Sequence, residues 1–266
     1  GTMSRPVVAL LTDFGTSDHY SGVIKGVVLD ICPDANVVDI AHDVPPHDVM
    51  TASLELAAAY KYFPPGTVFL VVVDPGVGSD RRALAADIGN YRFVAPDNGV
   101  VTDVFRERSP QLVVELTERR YARPTVSRTF EGRDRFAPAA AWIAKGVHLS
   151  AFGRQLTDYQ LLEARDPLVE NDRIVGEVLL IDRFGNIVTN IGRKMFNRLA
   201  ERGSIQVEIG NERIGRVVET YSDIGVDEVC GLFGSTERLE FAANAESAAE
   251  HLSVESGFPV IVRRQK

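Results

Sequence analysis

Cysteine is scarce: the 266-residue chain holds 2, Cys32 and Cys230, set far apart in otherwise periodic segments. Scarcity of this kind excludes a disulfide scaffold and a zinc-finger framework, and it predicts reduced, buried thiols in a cytosolic protein. No uninterrupted apolar run approaches the roughly 18–20 residues that a spanning helix needs, so no membrane partner is expected. The opening Gly1-Thr2-Met3-Ser4-Arg5-Pro6 lacks an apolar signal segment, and Gly1-Thr2 ahead of Met3 reads as a remnant of cloning. Basic blocks are missing too. Lys plus Arg number 29 against 37 Asp plus Glu, a net charge of −8 with a sequence pI near 5.2, so no nucleic-acid partner is expected. Neither an internal repeat nor a low-complexity tract is found. What remains, 45% hydrophobic and 25% charged, is the balance of an ordinary globular protein rather than a disordered chain.

The length favours two domains with separate cores. Residues 7–11 read as a buried strand that ends in Thr12-Asp13-Phe14-Gly15. Tyr20, Val23, Ile24, Val27, Val28 and Ile31 follow at helical spacing, stopped by Pro33. Residues 37–40 are a second strand, and Asp48 is the expected N-cap of a helix through Tyr62, which Pro64-Pro65-Gly66 terminates. Residues 67–73 form the clearest buried strand and lead into Asp74-Pro75-Gly76. Residues 84–87 and 91–95 read as a hairpin around Gly89-Asn90, 112–116 as a strand and 136–144 as a helix. This order predicts an α/β N-terminal domain over residues 3–165, an open, largely parallel sheet with flanking helices.

After about residue 165 the texture changes. Residues 173–181, 187–190, 205–209, 213–218, 229–233 and 259–262 are short strands, and only 193–199 and 246–252 look helical. That pattern predicts a small C-terminal β-barrel domain over residues 173–266. The charged stretch 163–172, holding Pro167, is the expected linker.

Ligands of open α/β sheets bind at the carboxyl ends of the strands. Three expected strands end in acidic or polar turns there, at Asp13-Phe14-Gly15, Asp74-Pro75-Gly76 and Pro96-Asp97-Asn98-Gly99, and Asp182-Arg183-Phe184-Gly185-Asn186 closes a strand of the second domain. Two readings compete. In a metal hydrolase, Asp13 and Asp74 would join His19, His42, Asp43 or His47 as ligands, but the histidines show no H-x-x-x-H or H-x-H spacing. In a nucleoside site, strand-end carboxylates would face ribose hydroxyls or a cationic ligand. A phosphate cradle is poorly supported, since Gly76-Val77-Gly78-Ser79-Asp80-Arg81 lacks the third glycine and no Gly-Lys-Ser/Thr follows.

Five motifs in order make the chain recognisable: Leu11-Thr12-Asp13-Phe14-Gly15, Val73-Asp74-Pro75-Gly76-Val77-Gly78, Ala95-Pro96-Asp97-Asn98-Gly99, Thr129-Phe130-Glu131-Gly132-Arg133-Asp134 and Asp182-Arg183-Phe184-Gly185-Asn186. From about Val7 to Val262 the chain resembles the S-adenosylmethionine (SAM) hydroxide adenosyltransferases, relatives of the adenosyl fluorinase and chlorinase. The resemblance implies the same two-domain order and a homotrimer, with SAM held between the N-terminal domain of one subunit and the C-terminal domain of its neighbour. It implies that Asp13 accepts from the ribose hydroxyls. Asp18, Asp182 and Ser235 would hold the methionine ammonium and carboxylate, Phe184 would stack on adenine, and Asn186 with the backbone around Asn244 and Ala245 would read its edge. Phe130 joins this substrate-binding set, and no metal or other cofactor is implied beyond SAM as substrate.

The resemblance also bears on the nucleophile. The halogenases carry an insertion where this chain has the tight Asp87-Ile88-Gly89-Asn90-Tyr91 hairpin, and the fluorinase has Tyr-Pro at the place of Asp74-Pro75. The water-using branch is marked by an Asp, an Arg seven positions later and a His in a Thr-Phe-His-Gly stretch. Asp74 and Arg81 match, whereas position 131 is Glu. The expected catalytic set is therefore Asp74, Arg81 and Glu131, with adenosine and L-methionine as products. Glu131 either pairs at the surface with Arg133 or Arg81, or sits beside the water and titrates together with Asp74. A chloride-using halogenase and a non-catalytic binder of SAM or adenosine are the alternatives.

Overall fold

Six strands, β1 (Val7–Thr12), β2 (Asn36–Ala41), β3 (Val68–Val72), β4 (Ala83–Asp87), β5 (Arg92–Pro96) and β6 (Leu112–Glu115), form one sheet in the order β2-β1-β3-β5-β4-β6. The computed structural model describes residues 4–265. Gly1-Thr2-Met3, with the expected cloning remnant and the expected start of the first domain, and Lys266, the expected end of the second domain, lie outside the described residues. β1 runs parallel to β2 and β3, and β3 to β5, while β4 is antiparallel to both neighbours. The sheet is thus largely parallel, as the sequence pattern implies.

Side chains alternate between two cores. Val8 and Leu10 of β1 and Leu70 of β3 face one, and Ala9, Leu11 and Phe69 face the other. Burial on both faces is why these strands read as unbroken apolar runs. Helices α1 (Tyr20–Ile31) and α4 (Ala137–Ala144) cover the first face, and α2 (Val49–Ala59) and α3 (Thr102–Glu107) the second. Each fully buried Leu or Phe contributes about 1.5–3 kcal/mol relative to exposure, so the two layers fix where the strands end. Asp48 caps α2 by accepting the Thr51 N–H at 3.0 Å. The sequence pattern does not reveal α3, which at 6 residues is too short to show a helical period. A single π-helical turn, Gly132–Phe136, leads into α4.

The chain divides into two compact units between Glu163 and Ala164. In the second unit the strands are β7 (Leu168–Val169), β8 (Arg173–Ile181), β9 (Ile187–Gly192), β10 (Ile205–Ile209), β11 (Glu212–Ile214), β12 (Val229–Phe233), β13 (Arg238–Ala243) and β14 (Pro259–Arg264). They follow the path β11-β10-β14-β8-β9-β13-β12, with β7 beside β8. Part of the expected linker is therefore strand. The path nearly closes into a barrel: Val218 N–H donates to Gly231 O at 2.7 Å and Gly231 N–H to Arg216 O at 2.9 Å, tying the chain after β11 to β12. Ile174, Val178, Ile187, Val207, Leu239 and Val262 fill the core, closed by Phe196 and Leu199 of α5 (Arg193–Ala200) and by α6 (Ala248–Leu252). Strand β13 escapes the sequence pattern because Glu240 interrupts its apolar residues. Cys32 and Cys230 are free and buried. Among the described residues no helix is long and apolar enough to cross a membrane.

Candidate active site

Because β1, β3 and β5 are parallel, their carboxyl ends share one edge. Thr12 pairs with Val72, so Asp13 and Asp74 leave neighbouring strands close to the same level. The strand-end carboxylates then diverge. Asp97 accepts from Arg82 Nε and Nη2 at 3.1 and 2.9 Å and from the Gln160 N–H at 2.7 Å, and is buried as a structural anchor. Asp13 is half-buried and takes the His47 N–H at 2.8 Å through Oδ2.

Asp74 is 8% exposed and accepts from Arg81 Nε at 2.9 Å on Oδ1 and 3.1 Å on Oδ2, with a further bond from Nη2. The same Nη2 reaches Glu131 Oε1 at 3.3 Å, and Glu131 is itself 9% exposed. Burial alone would lower the Arg81 pKa. The hydrogen bond and charge of Asp74, with those of Glu131, outweigh it and raise the value, so the guanidinium stays charged. The sequence-derived trio is therefore brought together, with Arg81 lying between two buried carboxylates. Glu131 is not a surface residue, and its second partner is Arg135, whose Nε lies 3.2 Å from Oε2. Arg133 instead pairs with Asp134 at 2.8 Å. Burial would push the Asp134 carboxyl up, but the Arg133 hydrogen bond, the Ser127 N–H and the charges of Arg133 and Arg123 hold it below the ordinary value.

Phe130 packs edge-on against Phe14 and Tyr20, with ring centroids 6.1 and 5.4 Å away. Asp18 is exposed before α1 and accepts the Tyr20 N–H at 3.3 Å. Under this edge the buried His42 bonds Thr12 Oγ1 at 2.7 Å and Asp39 Oδ1 at 2.6 Å. Those bonds engage one of the three histidines that the metal reading would recruit. Among the described residues no group of three or more His, Cys, Asp or Glu is placed to hold a metal ion.

The second unit carries its own cluster. Asp182 Oδ1 accepts the N–H groups of Phe184 and Asn186 at 2.9 and 3.0 Å, which curls the turn. Phe184 is left 67% exposed, with the guanidinium carbon of Arg183 over its ring, 5.0 Å from the centroid. Ser235 is exposed on the turn between β12 and β13. Asn244 donates to Ile224 O at 3.2 Å, and Ala245 holds a left-handed φ of 56°. A cavity of about 310 Å³ beside α5 contains none of these residues.

Sequence models of the SAM hydroxide adenosyltransferase N-terminal and C-terminal domains match residues 8–153 and 176–261. The chain belongs to this family. Among its SAM hydroxide adenosyltransferase relatives, a protein of Thermus thermophilus named (R)-S-adenosyl-L-methionine hydrolase is 39% identical over 264 residues, covering 96% of this chain and 98% of its own. A protein of the same name from Salinispora tropica is 36% identical, covering 95% of each chain. A fluorinase of Nocardia brasiliensis is 29% identical over an alignment of 291 positions, longer than this chain, so the fluorinase carries residues that this chain lacks. A solved structure from Thermotoga maritima, of an uncharacterized conserved protein, superposes with a TM-score of 0.90 at 39% identity, covering 97% of this chain and 100% of its own.

Within this SAM hydroxide adenosyltransferase, the sequence reading misses two charged residues. Arg135 stands four positions after Glu131 with opposite charge, a spacing that signals a pair. Glu240, 7% exposed, accepts weakly from Tyr221 Oη at 3.4 Å. Burial pushes the Glu240 carboxyl up, the charge of Asp182 adds to this, and the Tyr221 bond only partly opposes it. A Cβ on Gly234 would lie 2.4 Å from Glu240 Oε1, which puts this carboxyl directly against the turn that carries Ser235. The readable signal is a glutamate inside the apolar run Leu239-Glu240-Phe241-Ala242.

Proposed function

We propose that this enzyme is a SAM hydrolase that forms adenosine and L-methionine by attack of water on C5′. The observation that carries the reading is Asp74, buried at the strand edge and gripped by both Nε and Nη2 of Arg81. The hydrolase names of full-length relatives support it. The water oxygen bonds to C5′ in line with the C5′–sulfur bond, and that bond's electron pair leaves on sulfur as a neutral thioether. A neutral leaving group asks for no general acid and no cofactor. Attack produces a positively charged, strongly acidic hydroxyl, so even an Arg-paired carboxylate suffices to take the proton. In-line positioning supplies several kcal/mol, up to about 7–11 in the best intramolecular cases. A carboxylate at position 74 disfavours a halide electrostatically and leaves neutral water unaffected.

On this reading Asp13 binds the ribose hydroxyls, and Phe130 belongs to the same substrate-binding set. Asp18, Asp182 and Ser235 take the methionine end, while Phe184, Asn186, Asn244 and Ala245 take adenine. The nucleophile group and the adenine group belong to different units, and we propose a cytoplasmic homotrimer whose sites lie between subunits. The free, buried cysteines agree with a reducing compartment.

The test is incubation with SAM in chloride-free buffer made with heavy-oxygen water, followed by mass spectrometry. Labelled adenosine with equimolar methionine is expected. A chloride-dependent chlorinated nucleoside would instead establish a halogenase, and SAM bound but intact would establish a binding protein.

A further inference from the structure

One turn of chain, Glu131 to Phe136, grips Arg81 from several sides. Glu131 offers Oε1 to Nη2 at 3.3 Å, and the Phe136 ring centroid lies 5.3 Å from the guanidinium carbon. Glu131 Oε2 faces Arg135 Nε at 3.2 Å, and Arg135 Nη1 donates to the Leu116 carbonyl at 3.0 Å. The result is a row of alternating charge, Asp74, Arg81, Glu131, Arg135, anchored on the backbone just after β6. Side-chain exposure along it is 6, 10, 12 and 28%.

We propose that Arg135 is a positioning residue for the hydrolysis, holding Glu131 so that Glu131 braces Arg81 and Arg81 fixes Asp74. The inference rests on the reaction proposed above. Charge explains why Glu131 and Arg135 act as one unit. Two carboxylates around Arg81 alone would leave a buried net negative charge, and buried charge is tolerated only when paired. Arg135 cancels it. The other charged groups lining the adjoining cavity of about 320 Å³ are Asp80, Arg82, Glu115 and Arg128. Arg82 is held by Asp97 and Asp158, Glu115 by Arg154, Arg128 bonds the Gly78 carbonyl, and Asp80 is exposed. Among the described residues, Arg81 and Arg135 are the cations paired with Glu131. Without Arg135, Glu131 competes with Asp74 for Arg81, and the water-facing carboxylate loses its fixed orientation. The substrate-binding groups are untouched, so the loss falls on kcat and not on KM. The pair also changes what Glu131→His does. A lone histidine does not complete a more active trio, because it leaves Arg135 without its carboxylate.

A double-mutant cycle on the full-length enzyme decides the matter. Arg135→Met and Glu131→His each lower kcat at least about tenfold, about 1.4 kcal/mol of barrier, with KM for SAM within about threefold of wild type. The combined variant recovers most of that loss, because it removes both halves of the ion pair. A purely structural defect shows no such recovery in the combined variant. Losses that add in the double variant, or a wild-type kcat in Arg135→Met, overturn the proposal. If Arg135→Met does not fold, Arg135→Lys decides: a kcat near wild type supports a charge held against Glu131, and a loss as deep as that of Glu131→His overturns it. Wild-type enzyme that makes no adenosine from SAM defeats the reaction itself. A thermal-unfolding cycle on the same variants then still reads the coupling: additive losses of Tm overturn the pair, and non-additive losses support it.

Discussion

With both oxygens accepting from Arg81, Asp74 is held as an oriented acceptor, and charge can be separated from shape by one substitution. Asp74→Asn keeps SAM binding within about threefold and slows turnover at least about tenfold, read by calorimetry and single-turnover kinetics. Unchanged turnover would mean that the carboxylate takes no proton. Glu240 is the opposite case, a buried carboxylate whose neighbours are the Tyr221 hydroxyl and the charge of Asp182. Its raised pKa means that the folded state holds the proton more tightly than the unfolded state does. Stability is therefore unaffected below the ordinary glutamate value of 4.5 and declines as pH rises above it, toward the raised folded value. Glu240→Gln mimics the neutral form. It raises the Tm of the second unit's transition at neutral and alkaline pH, and the gain vanishes in acid; equal effects across pH would contradict this.

At the scale of elements, the Asp182 turn depends on Gly185. Its φ is +79°, and an added Cβ would lie 2.0 Å from Ser247 Oγ and 2.7 Å from Ser247 Cα, at the N-cap of α6. Because the clash reaches backbone, Gly185→Ala costs about 1–3 kcal/mol in strain. It also raises KM for SAM several-fold with little change in kcat, since the turn carries Phe184 and not the nucleophile group. Denaturant titration with steady-state kinetics checks both effects, and a fall in kcat at unchanged KM would place the turn elsewhere in the reaction. Elements were unevenly legible. Strands β1 and β3 announce themselves because both faces are buried, and α2 because Asp48 caps it. The six-residue α3, the π-helical turn and β13 leave no periodic trace, the last because Glu240 sits among apolar residues.

At the scale of the whole molecule, the proposed homotrimer with shared sites makes a prediction about mixtures. Asp74→Asn disables the nucleophile group, and Phe184→Ala disables adenine stacking, on different units of the chain. If sites lie between subunits, co-expressing the two variants forms hybrid assemblies in which some sites carry both intact groups. About a quarter of the sites in an equal mixture then regain the catalytic group, so activity exceeds that of either variant alone by about twofold or more. A mixture no more active than its parts, or a monomeric sedimentation mass, contradicts shared sites.

The α/β-then-barrel order, the strand-end positions of Asp13, Asp74 and Asp182, and the family are legible without a structure, because burial periodicity, turn chemistry and ordered motifs are local in the chain. Asp74, Arg81 and Glu131 stand out there as a set. Their arrangement comes from tertiary packing. Arg81 lies between the two carboxylates, Arg135 closes the row against Leu116, Asp97 is anchored by Arg82, and Glu240 stands under the Gly234 turn. Three of these contacts, Arg81 with Glu131, Arg135 with Leu116 and Arg82 with Asp97, join residues distant in sequence. Which charge neutralises which is set by burial and by the few ångströms between side chains, and a one-dimensional spacing does not encode that.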